Sequence, residues 1–171
     1  HMKYRGILFD IDGVLYVGGR AVEGAPAILK DLIARGVPFR CISNTTRSSR
    51  RMIAARLEKL GFSIPTEHIF TPAVAATSYL ISSGITRCML LTTVDVLEDF
   101  EIPGVEIVEN DPGAVVIGDA GDLFTYPSMN SAFRALLSGA ELIALERDRY
   151  WMDEGGLSLS AGPFVTGLEY A

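Results

Sequence analysis

Cysteine is scarce in this chain, with two in 171 residues, Cys41 and Cys88. Both fall inside apolar, strand-like runs (residues 39–42 and 88–91), so they read as reduced core thiols of a cytoplasmic protein and exclude a disulfide framework. Positive charge is also short. Fifteen Lys and Arg against 21 Asp and Glu leave a formal net charge of −6, which gives no general attraction for a phosphate backbone and sets nucleic acid aside as a partner. Long hydrophobic runs are missing as well. Mean hydropathy is +0.28, high for a soluble protein, yet the longest apolar stretches, such as residues 114–117, are strand-sized. A membrane helix needs about 20 apolar residues, so no membrane association is expected. No signal peptide is expected either, and His1-Met2 reads as a cloning remnant.

What is present is an alternation. Ile7-Leu8-Phe9 reads as a buried strand, followed by a glycine-rich loop over residues 10–19. The spacing of Ile28, Leu29, Leu32 and Ile33 predicts a helix over 25–35 closed by Gly36. A second strand is expected at 37–42, a helix at 48–60 with Thr45 and Thr46 as cap candidates, and a helix at 72–82 opened by Pro72. The pattern restarts after Gly84, which is the best candidate for a boundary between units 1–83 and 84–171. Strands are expected at 87–91, 105–108, 114–117, 141–145 and 157–159. Helical stretches are expected at 94–100, 126–137 and 162–171. Alternating strands and helices imply α/β architecture with parallel sheets covered by helices on both faces. The first half supplies only two strands to its sheet.

The most informative stretch is Ile7-Leu8-Phe9-Asp10-Ile11-Asp12-Gly13-Val14-Leu15-Tyr16. Two carboxylates at i and i+2 share one side of an extended chain. They stand just past the carboxyl end of a strand, where open α/β sheets place their chemistry. Two like charges so close call for a cation or a shared proton, and Mg²⁺ suits such hard oxygen ligands. The second strand ends at Ser43-Asn44-Thr45-Thr46. A hydroxyl, nearby backbone N–H groups and the following helix N-terminus make this a candidate phosphate seat, and Arg47, Arg50 and Arg51 add positive field.

These residues resemble the haloacid-dehalogenase-like phosphatase superfamily. Within it the chain is most similar to the NagD-like branch, with an α/β cap inserted after the second motif. Within that branch it resembles the subgroup of phospholysine phosphohistidine inorganic pyrophosphate phosphatase and its haloacid-dehalogenase-like domain-containing relatives. The first motif at residues 10–16 and Ser43-Asn44-Thr45-Thr46 carry the superfamily resemblance. The branch resemblance rests on Ile69-Phe70-Thr71, Val115 to Ala120, Phe124-Thr125-Tyr126, Asn130 to Arg134, Asp148 to Trp151 and Gly162-Pro163-Phe164. The resemblance implies a partial Rossmann-like core of two strands plus helices, followed by the cap. It also implies a two-step phosphoryl transfer on a small phosphorylated substrate. Asp10 would be the nucleophile and Asp12 the general acid, then base. Asp10 and Asp12 would hold Mg²⁺, and Ser43, Asn44 and Thr45 would bind phosphate. Asp119, Asp122 and Arg149 are cap candidates for substrate contact.

The family pattern also calls for a lysine on a G-K-P segment and a further acidic loop. Neither is among these residues, so the chain reads as the first two-thirds of a phosphatase, inactive by itself. Gly118-Asp119-Ala120-Gly121-Asp122 is flanked like a cap strand and loop and does not substitute for the acidic loop. A competing reading is a non-catalytic binding or oligomerisation module built on the cap, with a homodimer as its natural form. A receiver-like signalling domain would place its acceptor aspartate on a later strand, and the D-x-D spacing disfavours it.

Overall fold

The computed structural model describes residues 4–171. These residues form two compact units, one of residues 4–44 and 50–71, the other of residues 45–49 and 72–171.

In the first unit, β1 (Ile7–Asp10) lies parallel to β4 (Phe39–Ile42), with Ile7 opposite Phe39 and Asp10 opposite Ile42. Between them come a two-residue hairpin, β2 (Tyr16–Val17) and β3 (Arg20–Ala21), and helix α1 (Ala25–Ala34). Helix α2 (Arg50–Lys59) then leads to β5 (Ile69–Phe70), which pairs parallel with Cys41 and Ile42. The sheet order is β1-β4-β5, so this sheet has three strands, a correction to the two expected. Strand β5 is too short to carry a period of its own, and its partner register makes it a strand.

Leu29 of α1, Ile53 and Leu57 of α2, Phe39 and Cys41 of β4, and Phe62 fill one buried core with Ile11 and Leu15 of the loop after β1. Each such side chain, fully buried, contributes about 1.5–3 kcal/mol. Helix α2 starts at Arg50, so Thr45 and Thr46 lie ahead of it and do not cap it. His68 is half-buried with its ring edge-on to Phe39 at 4.7 Å.

The second unit opens with α3 (Pro72–Ser82). Its sheet is built from β6 (Arg87–Leu91), β7 (Glu106–Ile107), β8 (Ala114–Ile117) and β9 (Glu141–Ala144), ordered β7-β6-β8-β9 and parallel throughout. Central β8 is the most deeply buried strand, with all four residues at 0% exposure. On one face Ala73, Ala76 and Leu80 of α3 pack with Cys88, Val96, Phe100 and Val116. On the other, α4 (Tyr126–Leu137) and α5 (Gly162–Tyr170) pack over Met89, Leu91, Val115 and Ile117. The helices thus cover both faces, as the alternation implied.

Helix α4 begins with a capping box. Thr125 accepts from the Ser128 N–H, and the Ser128 side chain accepts from the Thr125 N–H. Between β9 and α5 stands a hairpin of β10 (Tyr150–Asp153) and β11 (Gly156–Leu159). The sequence suggested only the second of these strands. Tyr150 pairs with Leu159 and Met152 with Leu157, so four large apolar side chains, all exposed, share one face of the ribbon.

Candidate functional site

Strand β1 ends at Asp10, and the chain keeps its alternation for two more residues. Ile11 donates its N–H to Ile42 O at 3.0 Å, extending the β1–β4 ladder. Its side chain is 1% exposed in the core, whereas Asp10 and Asp12 on either side are exposed. Gly13 then turns the chain with φ +83°, a conformation that costs glycine least. Gly13 N–H donates to Tyr16 O and Leu15 N–H to Ile11 O, both at 2.9 Å, and Leu15, 2% exposed, pins the loop from below. The result is a closed loop with its acids outward and Ile11 and Leu15 inward.

Each carboxylate has defined partners. Asp10 Oδ1 accepts the N–H of Ile11 at 2.8 Å. Asp12 Oδ1 accepts the Tyr16 hydroxyl at 2.5 Å. Ser43 Oγ lies 3.5 Å from Asp12 Oδ2, so the ends of β1 and β4 bring residues 31 apart in sequence to one place. Ser43 is 3% exposed, and its N–H donates to Phe70 O at 3.0 Å. The short strand β5 therefore helps set its position. Behind Tyr16, Arg56 of α2 reaches the phenol oxygen at 3.4 Å. Burial and the hydrogen bond to the Asp12 carboxylate raise the Tyr16 pKa above the ordinary tyrosine value, against the opposing pull of Arg56.

Sequence reasoning missed Tyr16 and Arg56. Tyr16 had one local signal, an i,i+4 relation to Asp12 across a glycine turn. Arg56 had none, because a contact across 40 residues is not written in one sequence.

The other predicted residues sit as follows. Asn44 is exposed beside Ser43. Thr45 belongs to the second unit, and its Oγ1 accepts the Arg47 N–H at 3.3 Å. Asp119, Asp122 and Arg149 are also residues of the second unit. Asp119 is buried at 3% exposure and ion-paired with Arg47, Nη1 to Oδ2 3.3 Å. Asp122 is exposed in the turn before α4. Arg149 is exposed, with its guanidinium 5.9 Å from the Tyr150 ring centre.

Among the described residues no three His, Cys, Asp or Glu side chains converge as a metal cluster. Asp10 and Asp12 nonetheless fit Mg²⁺. It takes hard oxygen donors, and one or two carboxylates suffice where water and phosphate oxygens complete the shell. Burial raises the thiols of Cys41 and Cys88 to about 11, which sets both apart from nucleophilic or metal chemistry.

Comparison with known proteins places this geometry in a lineage. Residues 7–106 match the family model for haloacid dehalogenase-like hydrolase. Haloacid dehalogenase-like hydrolase domain-containing protein 2 of Rattus norvegicus is 46% identical over 167 residues, covering 98% of this chain and 62% of that protein. Phospholysine phosphohistidine inorganic pyrophosphate phosphatase of Danio rerio is 37% identical, with the same 98% and 62% coverage. The chain thus spans about 62% of the length of these curated relatives. Among solved structures, a hypothetical protein of Pyrococcus horikoshii superposes with TM-score 0.89 at 26% identity, over 98% of this chain and 67% of that one. NagD of E. coli shares the fold with TM-score 0.86 at 23% identity, over 99% of this chain and 66% of that one. Glycerol phosphate phosphatase of Mycobacterium tuberculosis, in complex with magnesium, superposes with TM-score 0.80 at 25% identity, over 95% of this chain and 51% of that one. A matched family model over more than half of the chain and the shared α/β fold lead to one conclusion: the chain belongs to the haloacid dehalogenase-like hydrolases.

Proposed function

We propose that these residues form the nucleophile half of a Mg²⁺-dependent phosphatase acting on small phosphorylated compounds. The observation that carries the reading is the meeting of Asp12 and Ser43, 3.5 Å apart, with Asp10 two residues away at the end of the neighbouring parallel strand. A carboxylate nucleophile, an acid–base group and a phosphate-binding hydroxyl then share one sheet edge.

In this reading an Asp10 carboxylate oxygen attacks phosphorus, and the bond to the leaving oxygen breaks. Asp12 gives that oxygen a proton. Water then attacks phosphorus of the aspartyl phosphate and loses its proton to Asp12, which releases phosphate and restores Asp10. Splitting one displacement into two is what such a nucleophile offers. Ser43, Asn44 and Thr45 hold the transferring group. The Asp10 carboxylate and the Asp12 backbone carbonyl would hold Mg²⁺, which when bound offsets charge on the phosphoryl oxygens. A named relative acts on phospholysine, phosphohistidine and inorganic pyrophosphate, so substrates of that size are the first to try. The same reading expects little turnover from these 171 residues alone, because the lysine and acidic loop of the family pattern are not among them.

The test is hydrolysis of p-nitrophenyl phosphate and pyrophosphate by the chain and by a protein of the relatives' length carrying it. Magnesium-dependent turnover by the longer protein, abolished in Asp10→Asn with a phosphate adduct trapped on Asp10 in the parent, supports the mechanism. Undiminished turnover in Asp10→Asn overturns it.

A second reading, a non-catalytic association module, draws on the exposed face of Tyr150, Met152, Leu157 and Leu159. A concentration-dependent dimer by light scattering, in a protein of the relatives' length without phosphatase activity, would favour it.

A further inference from the structure

The chain leaves β6 toward one edge of the second sheet to make β7, then returns past β6 to make β8 on the other side. The direction of winding reverses between β6 and β8. Open parallel sheets form a crevice at such a point, beyond the carboxyl ends of their strands, and ordinarily bind a ligand there. In this unit the crevice holds the chain's own residues 45–49.

The second residue after each of three strands grips this strap. After β6, Thr93 Oγ1 donates to Arg47 O at 3.5 Å. After β8, Asp119 N–H donates to Thr46 Oγ1 at 2.9 Å. After β9, Glu146 Oε1 accepts the Thr46 hydroxyl at 3.3 Å and the Ser160 hydroxyl at 2.7 Å. Ser49 donates to Glu98. Thr46 and Ser49 are buried, at 5% and 0% exposure.

Close approach is built into the floor of the crevice. A Cβ on Gly118 would stand 3.1 Å from Thr46 Cβ. Gly121 turns at φ +53° under the Arg47 guanidinium, and that guanidinium lies 5.1 Å from the Trp151 ring centre. Asp119 is the hub. Its Oδ1 accepts the Gly121 N–H at 3.0 Å, its Oδ2 meets Arg47 at 3.3 Å, and it is 3% exposed. Both oxygens are engaged within the unit, so little of the carboxylate is open to a substrate.

We propose that Asp119 is a positioning residue, not a substrate contact: through Arg47 and Thr46 it fixes the 45–49 strap and thereby Ser43 and Asn44, which precede it along the chain. The catalytic part of this inference rests on the reading of Ser43 and Asn44 as the phosphate seat, and the structural part does not.

The experiment compares the parent with Asp119→Asn and Arg47→Gln. Amide hydrogen exchange at residues 45–49 and acrylamide quenching of Trp151, the single tryptophan, read the strap directly. Both variants are expected to exchange at least tenfold faster there and to quench more readily. In a protein of the relatives' length, Asp119→Asn should lower kcat/KM by one common factor on p-nitrophenyl phosphate and pyrophosphate, since the phosphoryl group is what they share.

Unchanged exchange and quenching in both single variants overturn the proposal. A loss confined to one of the two substrates also overturns it, by making Asp119 a substrate contact. If the parent hydrolyses neither compound, the phosphatase reading fails, and the exchange and quenching data still decide the strap. Arg47 is exposed, so Arg47→Gln keeps the test open should Asp119→Asn fold poorly.

Discussion

Helix α5 contains two glycines for which the same substitution should have opposite effects. Gly162 is its first residue. An added Cβ would lie 2.5 Å from Arg147 O and 2.6 Å from Asp148 O, inside the 3.0 Å that real Cβ contacts essentially never breach. Both obstacles are backbone, so they cannot swing aside as a side chain would. The chain at 147–148 must shift by about 0.5 Å, which strains the Gly162 N–H bond to Asp148 O, now 3.0 Å. Overpacking of this kind costs about 1–3 kcal/mol, against at most about 1 kcal/mol of gained helix propensity. Gly162→Ala should therefore destabilise by about 1–2 kcal/mol. Gly167, in the interior of the same helix, would place its Cβ with nothing within 4 Å. Gly167→Ala should stabilise by about 0.5–1 kcal/mol, because alanine loses less backbone entropy on folding. Urea unfolding followed by the fluorescence of Trp151, in the same unit, measures both. With a slope of about 2 kcal/mol per molar, the two midpoints should separate by about 1 M, with the parent between them. A Gly162→Ala midpoint at or above the parent's would refute the steric argument. A fall in Gly167→Ala would refute the reading of open space around that helix position.

Removing the α4 cap with Thr125→Ala should cost about 1 kcal/mol, read as a lower urea midpoint of the second unit. Leu57→Ala, at 0% exposure in the first unit, should cost about 2–5 kcal/mol, read as early loss of exchange protection in β1 and β4. The thiols of Cys41 and Cys88, raised by burial to about 11, should resist dithionitrobenzoate at pH 8 until the chain is unfolded, and fast native labelling would contradict their burial. Their linkage has a definite sign. Above pH about 9 the unfolded chain releases thiol protons that the folded chain retains to about 11, so stability falls as pH rises through that window. A Cys41→Ala and Cys88→Ala double variant should lose part of that alkaline slope.

The sequence carried most of the second unit. Strands β6 and β8 are largely apolar runs, its helices have clear periods, and β8, buried on both faces, is as continuous in sequence as in space. In the first unit the motif at residues 10–16 and the strand ending at Ile42 were legible, since an apolar strand followed by glycine and acids has few other meanings, but β1 is not the buried strand expected: Ile7 and Leu8 are exposed, at 37% and 69%, and only Phe9 packs against the core. The β2–β3 hairpin had a local signal in Gly18-Gly19, at φ +54° and +77°, which are the angles that two-residue hairpin loops demand. Its strands, two residues each, are too short to show an alternation of their own. Strand β5 and the strap at 45–49 were illegible for a different reason. Neither has a pattern of its own. Ile69 and Phe70 become a strand through Cys41 and Ile42. Thr46, which with Thr45 read as a helix cap, is held instead by the Asp119 N–H and the Glu146 carboxylate, 73 and 100 residues away. Contacts at that range are decided by packing, and local propensity has no vote in them.

The first motif shows why two acids alone were a weak signal and their neighbours a strong one. Asp10 and Asp12 can face outward together because Ile11 between them is locked inward, 1% exposed and bonded to Ile42. Gly13 then reverses the chain, Leu15 anchors it a second time, and Tyr16 returns to Asp12 at 2.5 Å. Exposure keeps both carboxylates hydrated, so two like charges at i and i+2 need no desolvation before a cation or phosphate arrives. The residues that make the site possible are therefore the apolar ones that the chemistry never touches. Replacing Ile11 or Leu15 would release the loop and let the acids part, whereas Asp10→Asn or Asp12→Asn would keep an acceptor oxygen for the Ile11 N–H or the Tyr16 hydroxyl and remove the charge.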